Sequence, residues 1–147
     1  MRRVAAGALI AVGLLVGCTA FFASEQPDWI VNRQPLEGCG HETVEDNGIP
    51  ADVEGRRCLL AALRAGDGAE LISTQTTEEG DPVTTYYRVH ENSTIELFVD
   101  ATRDRFGSGT WERYSCGILV PVDDIDPARA SREREFIELD CVPLPIP

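Results

Sequence analysis

Cys18 carries the most specific chemical signal in the chain, because the residues before it, Leu-Val-Gly, complete a lipobox. The lipobox ends a thirteen-residue apolar run that follows Arg2 and Arg3. A basic start, a short apolar segment and a small residue before the cleavage point are typical of an export signal. Cleavage before Cys18 would leave its thiol on the first residue of the mature chain, ready to carry a diacylglycerol thioether. We therefore predict that residues 1–17 are a lipoprotein signal peptide and that Cys18 is lipidated.

The apolar run is too short to be a transmembrane helix. Thirteen residues rise about 20 Å, whereas the hydrocarbon core of a bilayer is about 30 Å thick. We therefore expect the mature protein at the extracytoplasmic face of the cell membrane, where two or more acyl chains would hold it stably. Residues 18–38 contain Pro27 and Pro35 and show no sustained periodicity, so they are interpreted as a lipidated tether. Residues 39–147 are interpreted as a single domain.

Four further cysteines remain, an even number in a chain predicted to reach an oxidising compartment: Cys39, Cys58, Cys116 and Cys141. Two disulfides are the natural interpretation. A zinc site is not favoured, because none of the four belongs to a CxxC pair. Three pairings are open to four cysteines. We favour Cys39 with Cys58 and Cys116 with Cys141, since each bond closes a short loop worth roughly 3 kcal/mol.

The segment that starts at Asp100 superficially looks like a calcium-binding loop. Asp100, Thr102 and Asp104 place oxygen side chains at its first, third and fifth positions. Arg105 stands where the sharp turn needs Gly, and Trp111 stands where a bidentate Glu is needed. We therefore expect these Asp and Thr side chains to bond the local backbone, and we predict no metal and no cofactor.

Two groups of acidic residues could supply the paired carboxylates of an enzyme that hydrolyses glycosides in the cell wall. They are Glu78, Glu79 and Asp81, and Asp100, Asp104 and Glu112. Such catalysis needs one carboxyl group buried enough to raise its pKa, with a partner about 5 to 9 Å away. Because the chain contains twenty-five acidic residues, pairs arise by chance. We assign no catalytic residue, and a cell-wall enzyme or accessory subunit stays the alternative.

Aromatic residues in the strand-rich part of the chain offer a candidate binding surface. Tyr86 and Phe98 are out of phase with the neighbouring aliphatic positions, so they fall on the opposite face of the sheet. That face is either covered, by the helix and by residues 29–31 of the tether, or exposed as a binding patch. The candidate binding residues are Tyr86, Phe98, Asp100, Asp104 and Trp111.

The charge of the chain argues against a nucleic-acid partner. The formal net charge is −12, and every basic residue is Arg. Removal of residues 1–17 takes away two arginines, which leaves 11 − 25 = −14. Phosphate backbones and anionic headgroups repel such a surface.

The periodicity of the chain predicts an α+β fold. Residues 52–65 have a helical pattern, with Asp52 placed to cap the start and Gly66 the end. Five segments rich in β-branched and aromatic residues follow, at residues 71–77, 83–89, 94–99, 110–120 and 136–142. Because short turns cannot make parallel crossovers, we predict one N-terminal helix packed on an antiparallel meander sheet of about five strands.

The order of a helix, EGDP at residues 79–82, DATRDRFG at residues 100–107 and two late cysteines resembles a domain of unknown function in small Gram-positive lipoproteins. This resemblance supports a bond between Cys116 and Cys141 across the last hairpin. The family brings no established activity. We therefore expect a membrane-anchored binding or structural module of the cell envelope, with a protein or an envelope component as its partner.

Overall fold

A computed structural model of the protein describes residues 26–44, 53–121 and 136–147. The predicted signal peptide, Cys18 and the predicted cap Asp52 lie outside the described residues. Within them the chain forms two helices and eight strands. In chain order these are α1 Asp28–Val31, β1 Glu37–Val44, α2 Glu54–Ala65, β2 Ala69–Thr76, β3 Pro82–Val89, β4 Ile95–Asp100, β5 Trp111–Cys116, β6 Ile118–Pro121, β7 Phe136–Leu139 and β8 Val142–Pro143.

The sheet differs from the one expected, and the predicted fold class is wrong. Six strands form a mixed sheet in the order β1-β2-β3-β4-β5-β8, and β6 pairs with β7 separately. β1 runs parallel to β2, and the other neighbours are antiparallel. The protein is therefore mostly β, with two small helices, and not one helix on a five-strand meander.

Two features of the sequence account for this difference. The predicted helix is the crossover between β1 and β2, and a helical crossover is the connection that allows two neighbouring strands to be parallel. The segment expected to be a single strand over residues 110–120 is divided at Gly117, so that β5 and β6 enter different sheets.

The two faces of the large sheet carry different cores. One face, which we call the α2 face, packs against α2 and against the β6–β7 pair. Its core includes Leu59 and Leu60 of α2, Leu71, Tyr87 and Leu97 of the sheet, and Leu119 and Phe136 of the pair. The other face, the α1 face, carries a smaller cluster of Ile30, Tyr86 and Phe98, with Trp29, Ile72 and Trp111 packed against it.

Helix α2 lies very close to the sheet. A Cβ atom at Gly55 would come within 2.6 Å of Leu71 Cδ1, so the approach requires glycine there. The helix ends at Gly66, which adopts the left-handed conformation with φ of 75°, and the predicted C-cap is confirmed. The N-cap position is Val53, which provides no side-chain hydrogen bond.

Helix α1 is short, and it is packed on the sheet although it lies in the region expected to be a tether. Ile30 is fully buried against Tyr86 and Phe98. The ring centroid of Trp29 is 5.3 Å from those of Phe98 and Trp111. The aromatic face is thus covered by residues near the start of the described chain, and α2 covers the opposite face.

Two disulfides are present, so the prediction of disulfide bonding is confirmed. One joins Cys39 in β1 to Cys58 in α2. The other joins Cys116, the last residue of β5, to Cys141, which precedes β8.

We expect Ile30→Ala to reduce the free energy of unfolding by about 3 kcal/mol, because it removes a fully buried side chain from the α1 core. Val31→Ala is the matched control, since Val31 is 58% exposed and its truncation should change stability by less than about 0.5 kcal/mol. Urea denaturation of both variants provides the measurement. Equal losses for the two variants would show that α1 is not docked as described.

Candidate functional site

A cleft of about 520 Å³ opens at one end of the large sheet. It lies beside the turn between β3 and β4, the adjoining ends of β4 and β5, and the segment that connects α1 to β1. Its lining residues are Gln34, Leu36, His90, Glu91, Asn92, Thr94, Glu96, Arg113, Ser115 and Leu144. We call this the cleft end of the domain. The opposite end, formed by the β2–β3 turn and by the loop of residues 101–110, is the loop end.

A row of alternating charges crosses the α1 face and ends at the cleft. Glu70, Arg88 and Glu96 are register partners on β2, β3 and β4. Arg88 Nε lies 2.9 Å from Glu70 Oε2, and Arg88 Nη1 lies 3.3 Å from Glu96 Oε2. Arg33 closes one end of the row, with Nε 2.7 Å from Glu70 Oε2. Arg113 closes the other, with Nε 2.8 Å from Glu96 Oε1.

Burial makes this pairing obligatory, because an unpaired charge in a protein interior is very costly. Arg88 and Glu96 are both buried. Arg88 Nη2 also donates a hydrogen bond to the backbone carbonyl of Gln34, which joins the row to the segment after α1. The charges therefore hold that segment across the sheet and shape one wall of the cleft.

The row contains one positive charge more than it can neutralise internally. Arg33, Arg88 and Arg113 face only two carboxylates within the row, those of Glu70 and Glu96. Arg113 is the member that borders the cleft, with 28% of its side chain exposed. A partly exposed guanidinium that borders a cleft favours anions there.

His90 adds a further polar group to the same cleft. Its Nε2 lies 3.3 Å from Glu96 Oε2, the carboxylate oxygen that also faces Arg88. The Glu96 carboxylate therefore has three partners, which are Arg88, Arg113 and His90. Asn92, Thr94 and Ser115 contribute an amide and two hydroxyl groups to the lining.

Three aliphatic side chains are exposed beside the cleft end. Ile118 follows Gly117 directly and is the register partner of Leu139 in the β6–β7 pair. Val142 pairs with the cleft residue Ser115. All three are large hydrophobic residues that the fold leaves in contact with water. We call them the aliphatic rim.

The loop end is held by acidic side chains that bond locally. Asp100 Oδ1 accepts from the backbone N–H of Thr102 at 3.0 Å. Asp104 Oδ1 accepts from the N–H groups of Phe106 and Gly107 at 3.0 and 2.8 Å. The expectation that Asp100 and Asp104 serve the local backbone is confirmed.

The five candidate binding residues do not form one exposed patch. Tyr86 and Phe98 are buried under α1, and burial raises the pKa of Tyr86. The Trp111 ring is partly buried, 5.9 Å from that of Tyr86. Asp100 and Asp104 are occupied by the bonds of their own loop.

Two of the carboxylates considered for catalysis, Asp81 and Glu112, do not have the environment of a general acid. A hydrogen bond from Arg105 lowers the pKa of Asp81. Tyr114 donates to Glu112 at 2.5 Å and lowers the pKa of that carboxyl group as well. An acid catalyst in a glycosidase needs the opposite change.

A second, smaller cavity of about 130 Å³ lies beneath α2. Arg56, which is buried and paired with Glu42, borders it, and Arg56 Nη1 has no hydrogen-bond partner among the described residues. Glu138 also borders the cavity. Because Glu42 already neutralises Arg56, this cavity lacks a partly exposed cation such as Arg113 of the cleft.

The residues of the cleft were missed as a site, although part of the signal is in the sequence. Arg88 stands two residues after Tyr86, and Glu96 stands two before Phe98. These four residues therefore share one face, and opposite charges on neighbouring antiparallel strands stabilise each other. The contributions of Gln34 and Leu36 depend on the packing of α1, which no local pattern reveals.

Among the described residues, no group of three or more His, Cys, Asp or Glu side chains is arranged to hold a metal ion. No helix in that part of the chain has the length and apolar character needed to cross a membrane. Comparison of the chain with protein-family models, curated proteins and solved structures finds no match.

The contact between Asp81 and Arg105 makes the stability of the loop end dependent on pH. The pKa of Asp81 is lowered in the folded state, so its contribution is present above the ordinary value of about 3.9 and is lost as the pH falls through the lowered value. We expect Asp81→Asn to destabilise the protein at pH 6, and the difference from the parent protein should shrink as the pH falls below about 3.9. Thermal melting across this range measures the difference.

The control for this experiment is Glu79→Gln, which removes a charge from the same turn and leaves the Asp81 side chain in place. Its melting temperature should follow that of the parent protein across the acid range. A constant difference between the parent and Asp81→Asn at every pH would contradict the proposed pH dependence.

Proposed function

We propose that this protein is a lipid-anchored binding module of the cell envelope and that its cleft end binds a carboxylate-bearing protein or envelope component. The observation that carries the proposal is the guanidinium of Arg113, which ends the Arg33–Arg113 row, borders the open cleft and is 28% exposed. Arginine recognises carboxylates through charge-assisted hydrogen bonds.

The composition of the cleft supports a ligand with both polar and apolar parts. Thr94 and Ser115 offer hydroxyl groups, while Leu36 and Leu144 offer apolar contacts. Eight of the ten lining residues are polar or charged, so polar contacts would provide most of the recognition. Glu91 also borders the cleft, but it is exposed and can direct its charge into solvent.

The aliphatic rim supports a partner that covers more than the cleft itself. Ile118, Leu139 and Val142 are exposed at the same end of the domain. Contiguous apolar residues on the surface of a protein are typical of interaction sites. A carboxylate in the cleft and an apolar contact on the rim would together orient a protein partner.

The anchor in this proposal rests on the lipobox, so Cys18→Ala tests it. We expect the variant to leave the membrane fraction or to accumulate as an unprocessed precursor, because no thiol is available for the thioether. Fractionation of cells and metabolic labelling with a fatty acid provide the two measurements. Unchanged labelling of Cys18→Ala would contradict lipidation at this residue.

The ligand class is tested with a dipeptide probe, acetyl-Ala-Ala, and its C-terminal amide. We expect the free carboxylate to shift the amide NMR signals of Thr94 and Ser115 at millimolar concentration, and the amide form to have a much smaller effect. Arg113→Gln should weaken the carboxylate form about tenfold or more, which corresponds to the loss of one charge-assisted hydrogen bond.

Arg57→Gln is the matched control for this experiment, because it removes an arginine whose exposed side chain pairs with Glu54 on α2, away from the cleft lining. It should bind the probe as the parent protein does. Equal shifts from the carboxylate and the amide, or an unaltered affinity in Arg113→Gln, would exclude carboxylate recognition by this residue.

A further inference from the structure

The imidazole ring of His90 borders the cleft with one of its two nitrogens unpaired. His90 directly follows β3 and stands two residues after Arg88, so the two side chains project from the same face of the sheet. Nε2 lies 3.3 Å from Glu96 Oε2, and 23% of the side chain is exposed. Among the residues that the structure describes, Nδ1 has no hydrogen-bond partner. Nδ1 is therefore the ring nitrogen that remains for a ligand.

The contact with Glu96 determines which nitrogen carries the proton while the ring is neutral. An ionised carboxylate only accepts hydrogen bonds, so Nε2 is the protonated nitrogen that donates to Glu96. Nδ1 then has a lone pair and no proton, and it cannot bond to the carboxylate of a ligand. A second proton turns Nδ1 into a donor and gives the ring a positive charge.

Four charged groups surround the ring. Glu96 of β4 contacts it directly, and Arg88 of β3 and Arg113 of β5 pair with the same carboxylate. Glu91, the next residue in the turn, also borders the cleft. The segment after α1 and the residues after β8 contribute uncharged side chains to the lining, which are Gln34, Leu36 and Leu144.

The proton on His90 decides the net charge of this region. The row and the cleft lining together contain three arginines and three glutamates, so their charges cancel while the ring is neutral: Arg33, Arg88, Arg113, Glu70, Glu91 and Glu96. Protonation of His90 brings the net charge to +1. The region therefore attracts an anion more strongly after the ring has gained its proton.

We propose that His90 is a second donor to the ligand carboxylate, beside Arg113, and that the cleft takes up one proton from the solvent when it binds this ligand. The inference rests on the proposed function, because it concerns the same ligand in the same cleft. The proton forms the Nδ1–H bond, and this group donates a charge-assisted hydrogen bond to the ligand. Because histidine ordinarily changes charge between pH 5 and pH 8, the cleft holds a carboxylate more tightly in acidic surroundings and releases it as the pH rises.

The test measures the affinity of the full chain, purified in a non-ionic detergent, for acetyl-Ala-Ala at pH 5.5 and at pH 8. The carboxyl group of this probe is ionised at both values. Titration of the amide NMR signals of Thr94 and Ser115 with the probe gives the affinity at each pH. We expect the parent protein to bind at least about fivefold more tightly at pH 5.5, which corresponds to one additional charge-assisted hydrogen bond. His90→Gln should bind equally at the two values, because glutamine gains no charge.

His41→Gln is the matched control, because His41 is the other histidine of the chain, is exposed in β1 and does not line the cleft. This variant should keep the pH dependence of the parent protein. A second measurement needs no substitution in the cleft. Addition of the probe at pH 7 should move the ring nitrogen signals of His90 toward those of an imidazolium and leave the signals of His41 in place.

Equal affinity of the parent protein at the two pH values would overturn the inference, as would a pH dependence that persists in His90→Gln or disappears in His41→Gln. Ring signals of His90 that do not respond to the probe would also overturn it. The two proposals fail in different ways. If the probe shifts neither Thr94 nor Ser115 at either pH, the proposed function and the inference are both wrong, whereas binding of equal strength at both values removes the inference alone.

Discussion

The row of alternating arginines and glutamates across the α1 face is the interaction on which the rest of the structure depends. Arg88 and Glu96 are buried in the middle of the sheet, and each is tolerable there only because the other is present. A shift of β4 by one residue relative to β3 would move Glu96 to the aliphatic α2 face and leave Arg88 without this partner. The same row holds the segment after α1 and leaves Arg113 at the cleft, so register, α1 docking and the candidate site share one cause.

Much of the central architecture could be predicted from the sequence. The helix was expected over residues 52–65 and is found over Glu54–Ala65, and three of the expected strands lie within two residues of β2, β3 and β4. These elements have strong periodicity and clear breakers at Gly66 and Gly80. An element can be predicted from its local sequence when one of its faces is apolar and breaker residues mark its ends.

The errors came from elements that tertiary contacts create. β1 contains Gly38 and Gly40 and shows little apolar alternation, so its strand character depends on pairing with β2. β8 is only two residues long and includes Pro143. A strand this short has no pattern that the sequence could reveal. The cleft depends on Arg33 and Arg113, which are far apart in the sequence and meet only through the two glutamates between them.

Both edges of the six-stranded sheet are tied to a neighbouring element by a disulfide. β1, at one edge, is joined to α2 through Cys39, and the connection into β8, at the other edge, is joined to β5 through Cys141. Open sheet edges are where chains exchange strands and aggregate. With the thiols reduced, as they would be in a cytosol, both edges lose their covalent link to the neighbouring element and can separate from the sheet. The fold therefore reaches its full resistance to strand exchange only in surroundings that are oxidising enough to form both disulfides.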